Sequence, residues 1–331
     1  MRLAFAICGV ALVLPFLASA QSLENLGSIT GNAFTLSVNP QYPAPYSNAT
    51  LSVLSDSLEL ANATLTVSAS GKEIYKGAVR PVTVPLGKAG SIMNVRVTIS
   101  SGSISSNQTV SLQPQDVLLI AEPVSSFPPL YPGKPFVPLE GSVRIIAIAN
   151  LRDASGKTSI PATYSYAWTV DGARVMDSSG IGKSSIIAAA PLQYRTREIS
   201  VTVTNAAGTI VGGASLSFSA LEPSVHIYEN DPLLGIRFGR ALAGSYTMSG
   251  AEATFYAAPF SFPLSGGVPT LQWFLNGVAA QTGNLITLRP TGEGRGTASL
   301  SLTASSGNAA TAAANLPLIF GAKPSTNFFG L

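Results

Sequence analysis

A chain of 331 residues that is 46% hydrophobic and only 11% charged can build two or three domains. Nineteen basic and sixteen acidic residues leave a net charge of +3 with no Lys/Arg cluster. That excludes nucleic-acid binding, which needs a concentrated positive surface to release counterions. A single cysteine, Cys8, and a single histidine, His226, leave no disulfide framework and no His/Cys ligand set for a metal.

In chain order, Arg2 precedes an apolar stretch from Leu3 to Leu17 that contains Pro15, and Ala18-Ser19-Ala20 stands before Gln21. A positive start, a short apolar core and an A-x-A site predict a secretory signal over residues 1–20. The run is short for a membrane span of about 20 residues, the other reading being an uncleaved anchor helix. Cys8 falls inside the signal, so the mature chain has no cysteine and a lipid-modified one is not expected. Domains that fold without disulfides after export point to a bacterial host. In such a host the Asn-x-Thr triplets at Asn48, Asn62 and Asn107 are strand and turn residues rather than glycan acceptors.

Beyond the signal, helical periodicity is nearly absent. Thirty-one Gly and twenty-three Pro cut the chain into short pieces that alternate apolar and polar residues, as in Val95-Arg96-Val97-Thr98-Ile99 and Ser299-Leu300-Ser301-Leu302-Thr303. Alternation with period two places one face in a core and the other in water, and many such strands between turns predict an all-β chain of sandwiches.

One pattern occurs three times: a strand, a turn ending in Gly, and a returning strand further on. The first copy runs Leu65 to Ala69 with Ser70-Gly71, then Val95 to Ile99. In the second, Tyr164-Ser165-Tyr166-Ala167-Trp168-Thr169-Val170-Asp171-Gly172 leads to Ile199 to Gly208, and in the third Leu271 to Leu275 with Asn276-Gly277 leads to Ser299 to Thr303. Asp-Gly and Asn-Gly tolerate the positive φ angles of tight hairpins. The predicted boundaries are residues 22–113, 114–220 and 221–320, with a tail over 321–331. Each sandwich then has the size of an immunoglobulin-like domain. Short, Pro-containing joints predict a semi-rigid rod.

The segments Tyr166 to Gly172 and Ser200 to Gly208 resemble the immunoglobulin-like (PKD-like) fold of many bacterial surface proteins. The likeness is clearest in the second copy, weaker in the third and weakest in the first, which lacks the Trp. It implies three tandem immunoglobulin-like β-sandwiches, extracellular spacing and contact with proteins or glycans, and it implies no single activity.

Candidate site residues are few. Trp168 and Trp273 occupy matching strand positions and are expected in the sandwich cores, where a large aromatic buries much apolar area. His226 in Val225-His226-Ile227-Tyr228 lacks partners for catalysis or a metal and is expected on the solvent side or at a domain joint. Glu229-Asn230-Asp231 is the densest oxygen cluster, but without a D-x-D-x-D-G loop it predicts no calcium site. Asp153-Ala154-Ser155-Gly156 reads as a hairpin turn. The aromatic-proline segments Tyr42-Pro43-Ala44-Pro45-Tyr46 and Phe127-Pro128-Pro129-Leu130-Tyr131-Pro132-Gly133, with Ile227 to Ile236, are expected to be irregular first strands and domain seals; the alternative makes them contact points. Phe328-Phe329 reads as part of a tail packed on the third domain or frayed.

No catalytic, cofactor-binding or metal residues are expected. The sequence predicts a non-enzymatic exported structural or adhesion protein that contacts protein partners of the cell envelope or surface through strand edges and aromatic anchors. No transmembrane segment is expected after signal cleavage. The alternative is a carbohydrate-binding module protein, which needs an exposed aromatic row such as Tyr42, Tyr131 and Tyr228.

Overall fold

The computed structural model describes residues 34–56, 59–291, 295–307 and 310–321. The predicted signal and Phe328-Phe329 lie outside them. Among the described residues no helix is long and apolar enough to cross a membrane. The chain is all-β, and its sheets form three successive two-layer sandwiches.

The first sandwich comprises β1 (Thr35–Asn39), β2 (Asn48–Leu54), β3 (Thr64–Ala69), β4 (Lys72–Ala78), β5 (Val82–Pro85), β6 (Met93–Ser101) and β7 (Ile104–Leu112). Its sheets run β1-β2-β5 and β4-β3-β6-β7. The second has β8 (Asp116–Pro123), β9 (Ser142–Asn150), β10 (Ser165–Val170), β11 (Ala173–Arg174), β12 (Gly180–Ile181), β13 (Ser185–Ala189), β14 (Thr196–Thr204) and β15 (Val211–Ser219), in sheets β13-β9-β8 and β11-β10-β14-β15. The third has β16 (Ser224–Asp231), β17 (Gly235–Ile236), β18 (Tyr246–Met248), β19 (Ala253–Phe260), β20 (Thr270–Leu275), β21 (Val278–Thr282), β22 (Leu285–Leu288), β23 (Gly296–Ser306) and β24 (Ala310–Phe320). Its sheets run β17-β16-β19-β22 and β18-β24-β23-β20-β21.

The threefold pattern is a hairpin flanked by a third strand. β3, β10 and β20 each turn back tightly into β4, β11 and β21, and each pairs on its other side with β6, β14 or β23. All three turns hold two residues at positive φ: Ser70-Gly71 (48° and 84°), Asp171-Gly172 (48° and 80°) and Asn276-Gly277 (51° and 81°). Two left-handed residues in a row match the twist of the flanking strands, so a short polar residue followed by Gly fits the corner. Asp171 and Asn276 do more than turn. The Oδ1 of each accepts the returning strand's amide, from Glu198 and Ser299 respectively, both at 2.9 Å.

Cores form where the alternation points. In the second sandwich Ile145 of one sheet meets Trp168, Ile199 and Val201 of the other; in the third, Ile227 and Phe255 meet Trp273, Leu300 and Leu302. By compactness the chain divides into two units. The smaller includes 34–38 and the described residues of 50–84 and 93–112, and the larger holds 39–49, 85–92 and the described residues from Gln113 onward.

Candidate functional site

Trp168 and Trp273 are both fully buried, three residues before the first turn residue of their hairpins. Each indole N–H donates to a backbone carbonyl at 2.9 Å, of Lys183 and Gly283 respectively. The same position in the first sandwich is Val67, also fully buried. A buried indole with its only donor satisfied has nothing left to offer a ligand. Tyr164, which begins the second motif, is buried as well; its hydroxyl donates to the Ser159 carbonyl (2.9 Å) and accepts the Leu151 amide (3.1 Å), fixing the loop between β9 and β10.

His226 faces outward on β16 and meets Phe260 edge-on, with centroids 5.5 Å apart. Loss of hydration against that ring lowers its pKa below 6.5. The acidic run beside it is internally satisfied. Asp231 accepts the Leu233 and Leu234 amides and pairs with Arg237 at 2.8 Å, which together hold its pKa below the usual carboxylate range. Glu229 takes the Tyr246 hydroxyl at 3.0 Å. No group of three potential ligands stands together among the described residues. Asp153 closes its turn by accepting from Ser155 and Lys157.

Tyr42 and Tyr131 of the aromatic-proline segments have internal partners, whereas Tyr46 and Leu130 are exposed. Tyr42 lies on Gly213 of β15, where a Cβ would crowd the ring, and its hydroxyl is 3.4 Å from Thr202 Oγ1. Tyr131 meets Phe260 at 5.0 Å and Phe238 at 5.5 Å, both edge-on, and Tyr228 is buried under Phe238. Ser126 adds main-chain bonds to the loop after β19: its amide donates to Phe262 and its carbonyl accepts from Ser261. Of the three rings considered for an exposed aromatic row, Tyr228 is buried and Tyr42 and Tyr131 are half-buried. Apolar rings gain more by covering one another than by facing water.

These contacts expose a difference among three equivalent surfaces, the outer faces of the smaller sheets. In the first sandwich that face is largely polar, presenting Thr35, Ser37, Thr50, Ser52 and Thr83. In the third it is aromatic and covered: Tyr228, Tyr256, Ala258 and Phe260 lie beneath Tyr131, Ile236, Phe238 and Ala241. In the second it is aliphatic and open. Leu118 stands opposite Ile148, and Ile120 opposite Ile146 across β8 and β9, while Ile187 of β13 lies beside Arg144. Leu118 is 55% exposed, Ile148 53% and Ile187 71%. Glu122 and Arg144 close one end of the patch at 3.8 Å.

Sequence reasoning missed this face. Its signal was the loss of alternation: β8 contains Val117-Leu118-Leu119-Ile120-Ala121 and β9 contains Ile145-Ile146-Ala147-Ile148. Continuous apolar strands are apolar on both faces and normally have both covered.

No protein-family model matches the chain, and no curated protein matches it. Solved structures that are similar include three N-terminal domains of the outer capsid protein Hoc of bacteriophage RB49, at 13% identity and TM-score 0.25, covering 87% of this chain and 99% of that one. The central fibronectin-III array of RIM-binding protein matches at 11% identity and TM-score 0.32, over 89% and 98% of the two chains. Extracellular domains 3–5 of Drosophila OTK match at 12% identity and TM-score 0.22, over 88% and 98%. Likenesses this distant carry no functional information.

Proposed function

We propose that this chain is a non-enzymatic, exported bacterial structural or adhesion protein. Its domains span residues 22–113, 114–220 and 221–320, and the second makes protein–protein contact at the cell envelope or surface. The contact region is the outer face of β13-β9-β8, and the observation behind the reading is the open ladder of Leu118, Ile120, Ile148 and Ile187 around the half-buried Ile146. Contiguous apolar surface on a folded domain marks a place where another surface docks. The partner fitting it is a protein with a flat apolar sheet or helix face, and the Glu122–Arg144 pair sets orientation at the rim. Protein contact also suits a chain with so few charges, because apolar burial rather than long-range steering then provides the association energy.

Ile148→Lys and Ile187→Lys test the reading. Both positions are more than half exposed, so the fold tolerates the change. The wild-type protein, immobilised, should retain one defined envelope protein from detergent extracts. Both variants should lose at least tenfold in that protein's affinity, while Thr83→Lys on the first sandwich retains it. Unchanged affinity in both isoleucine variants overturns the assignment.

A further inference from the structure

The third sandwich has a feature that protein docking does not use. After β17 the connector 237–245 leaves the sheet of β16 and enters the opposite sheet as β18, and it leaves a cleft of about 380 Å3 between them. Glu229, Arg237, Arg240, Ser245, Tyr246 and Thr247 provide its polar lining.

One wall of the cleft is fixed. Tyr246 donates to Glu229 Oε1 at 3.0 Å, and Arg237 lies 3.7 Å from Glu229 Oε2 and 2.8 Å from Asp231 Oδ2. Asp231 is held in turn by the Leu233 and Leu234 amides. Burial and the Glu229 carboxylate push the Tyr246 pKa up to about 12, so its hydroxyl stays a donor at neutral pH. Arg240 also lines the cleft, and its guanidinium has no carboxylate within 4.0 Å and no side-chain hydrogen bond among the described residues. The hydroxyls of Ser245 and Thr247 have no side-chain partner among them either.

We propose that this cleft binds a carboxylate-bearing sugar ring, a uronic acid. The free groups are a planar guanidinium fork and two hydroxyls, which call for an anion of matching geometry attached to a ring with hydroxyls. The fork takes the carboxylate in bidentate fashion. Ser245, Thr247 and the remaining lone pairs of Glu229 serve the ring hydroxyls, and Leu242 offers an apolar contact for the ring's C–H face. The volume falls within the range of small-molecule sites and admits a monosaccharide. An acidic peptide offers Arg240 the same carboxylate but no ring of hydroxyls, and the titration below separates the two.

Isothermal titration of the full mature chain with D-glucuronate, D-glucose, acetate and an Asp-containing tripeptide tests the assignment. Glucuronate should bind saturably and at least tenfold tighter than each of the other three. Arg240→Gln should reduce glucuronate to the level of glucose without moving the thermal transition. Glucuronate no tighter than acetate, a tripeptide that binds as well as glucuronate, or an Arg240→Gln variant with wild-type affinity would each overturn it. Ile148→Lys should bind glucuronate like wild type, which separates this site from the contact face.

Discussion

Tyr131, in the loop between β8 and β9, meets Phe260, at the end of β19, edge to face with centroids 5.0 Å apart. A ring from the second sandwich thus covers the outer sheet face of the third, next to Phe238 and Tyr256. Tyr131→Ala should lower the unfolding free energy of the third sandwich by about 2 kcal/mol, because the aromatic contact and part of the apolar burial are lost together. Urea unfolding followed by hydrogen exchange in β16 and β19 would read this as earlier exposure of those strands, with β10 and β14 unchanged.

The two tryptophans support different cores through the same geometry. Trp168→Ala should destabilise the second sandwich by about 3–5 kcal/mol, and Trp273→Ala the third by a similar amount, since each leaves a large cavity and a carbonyl without its donor. Each loss should appear in the exchange rates of its own sandwich first.

Two glycines separate backbone strain from crowding. At Gly172, with φ of 80°, a Cβ would meet nothing within 4 Å, so Gly172→Ala should cost about 1 kcal/mol from conformation alone. At Gly213 a Cβ would lie 2.7 Å from the Val201 carbonyl oxygen and against the Tyr42 ring. Gly213→Ala should therefore cost more than Gly172→Ala, and Tyr42→Ala should recover only part of the loss. Chemical denaturation of the four proteins checks the order.

Stability should fall at both ends of the pH scale for identifiable reasons. His226 has a lowered pKa in the fold, so below pH 6.5 the unfolded chain takes up a proton more readily and stability declines as pH falls. Tyr246 has a raised pKa of about 12, so between pH 10 and 12 the unfolded chain loses its proton first and stability declines as pH rises. Burial raises Tyr166, Tyr228 and Tyr256 as well, which makes the informative quantity a difference. Tyr246→Phe should show a shallower fall in Tm above pH 10 than wild type, and His226→Gln a shallower fall below pH 6.5.

Strand alternation and the polar-Gly turns make the hairpins readable in the sequence, because period two and positive φ are local properties. Ser70-Gly71, Asp171-Gly172 and Asn276-Gly277 all sit where spacing placed them. The outer faces were not readable in the same way. Tyr228 and Leu118 both lie on outer sheet faces, yet one is buried and the other 55% exposed. What separates them is Phe238 and the Tyr131 loop, contacts between segments far apart in sequence. The cleft escaped for the same reason: Glu229, Arg237 and Tyr246 meet only because the chain changes sheets between β17 and β18.

The central claim is that the aliphatic face of the second sandwich is where this protein meets another. A photo-activated cross-linking side chain at Ile187, compared with one at Thr83 on the corresponding face of the first sandwich, tests it directly in intact cells. Position 187 should yield one dominant adduct with an envelope or surface protein, and position 83 none. Equal labelling at the two positions, or no adduct at 187, would contradict the account.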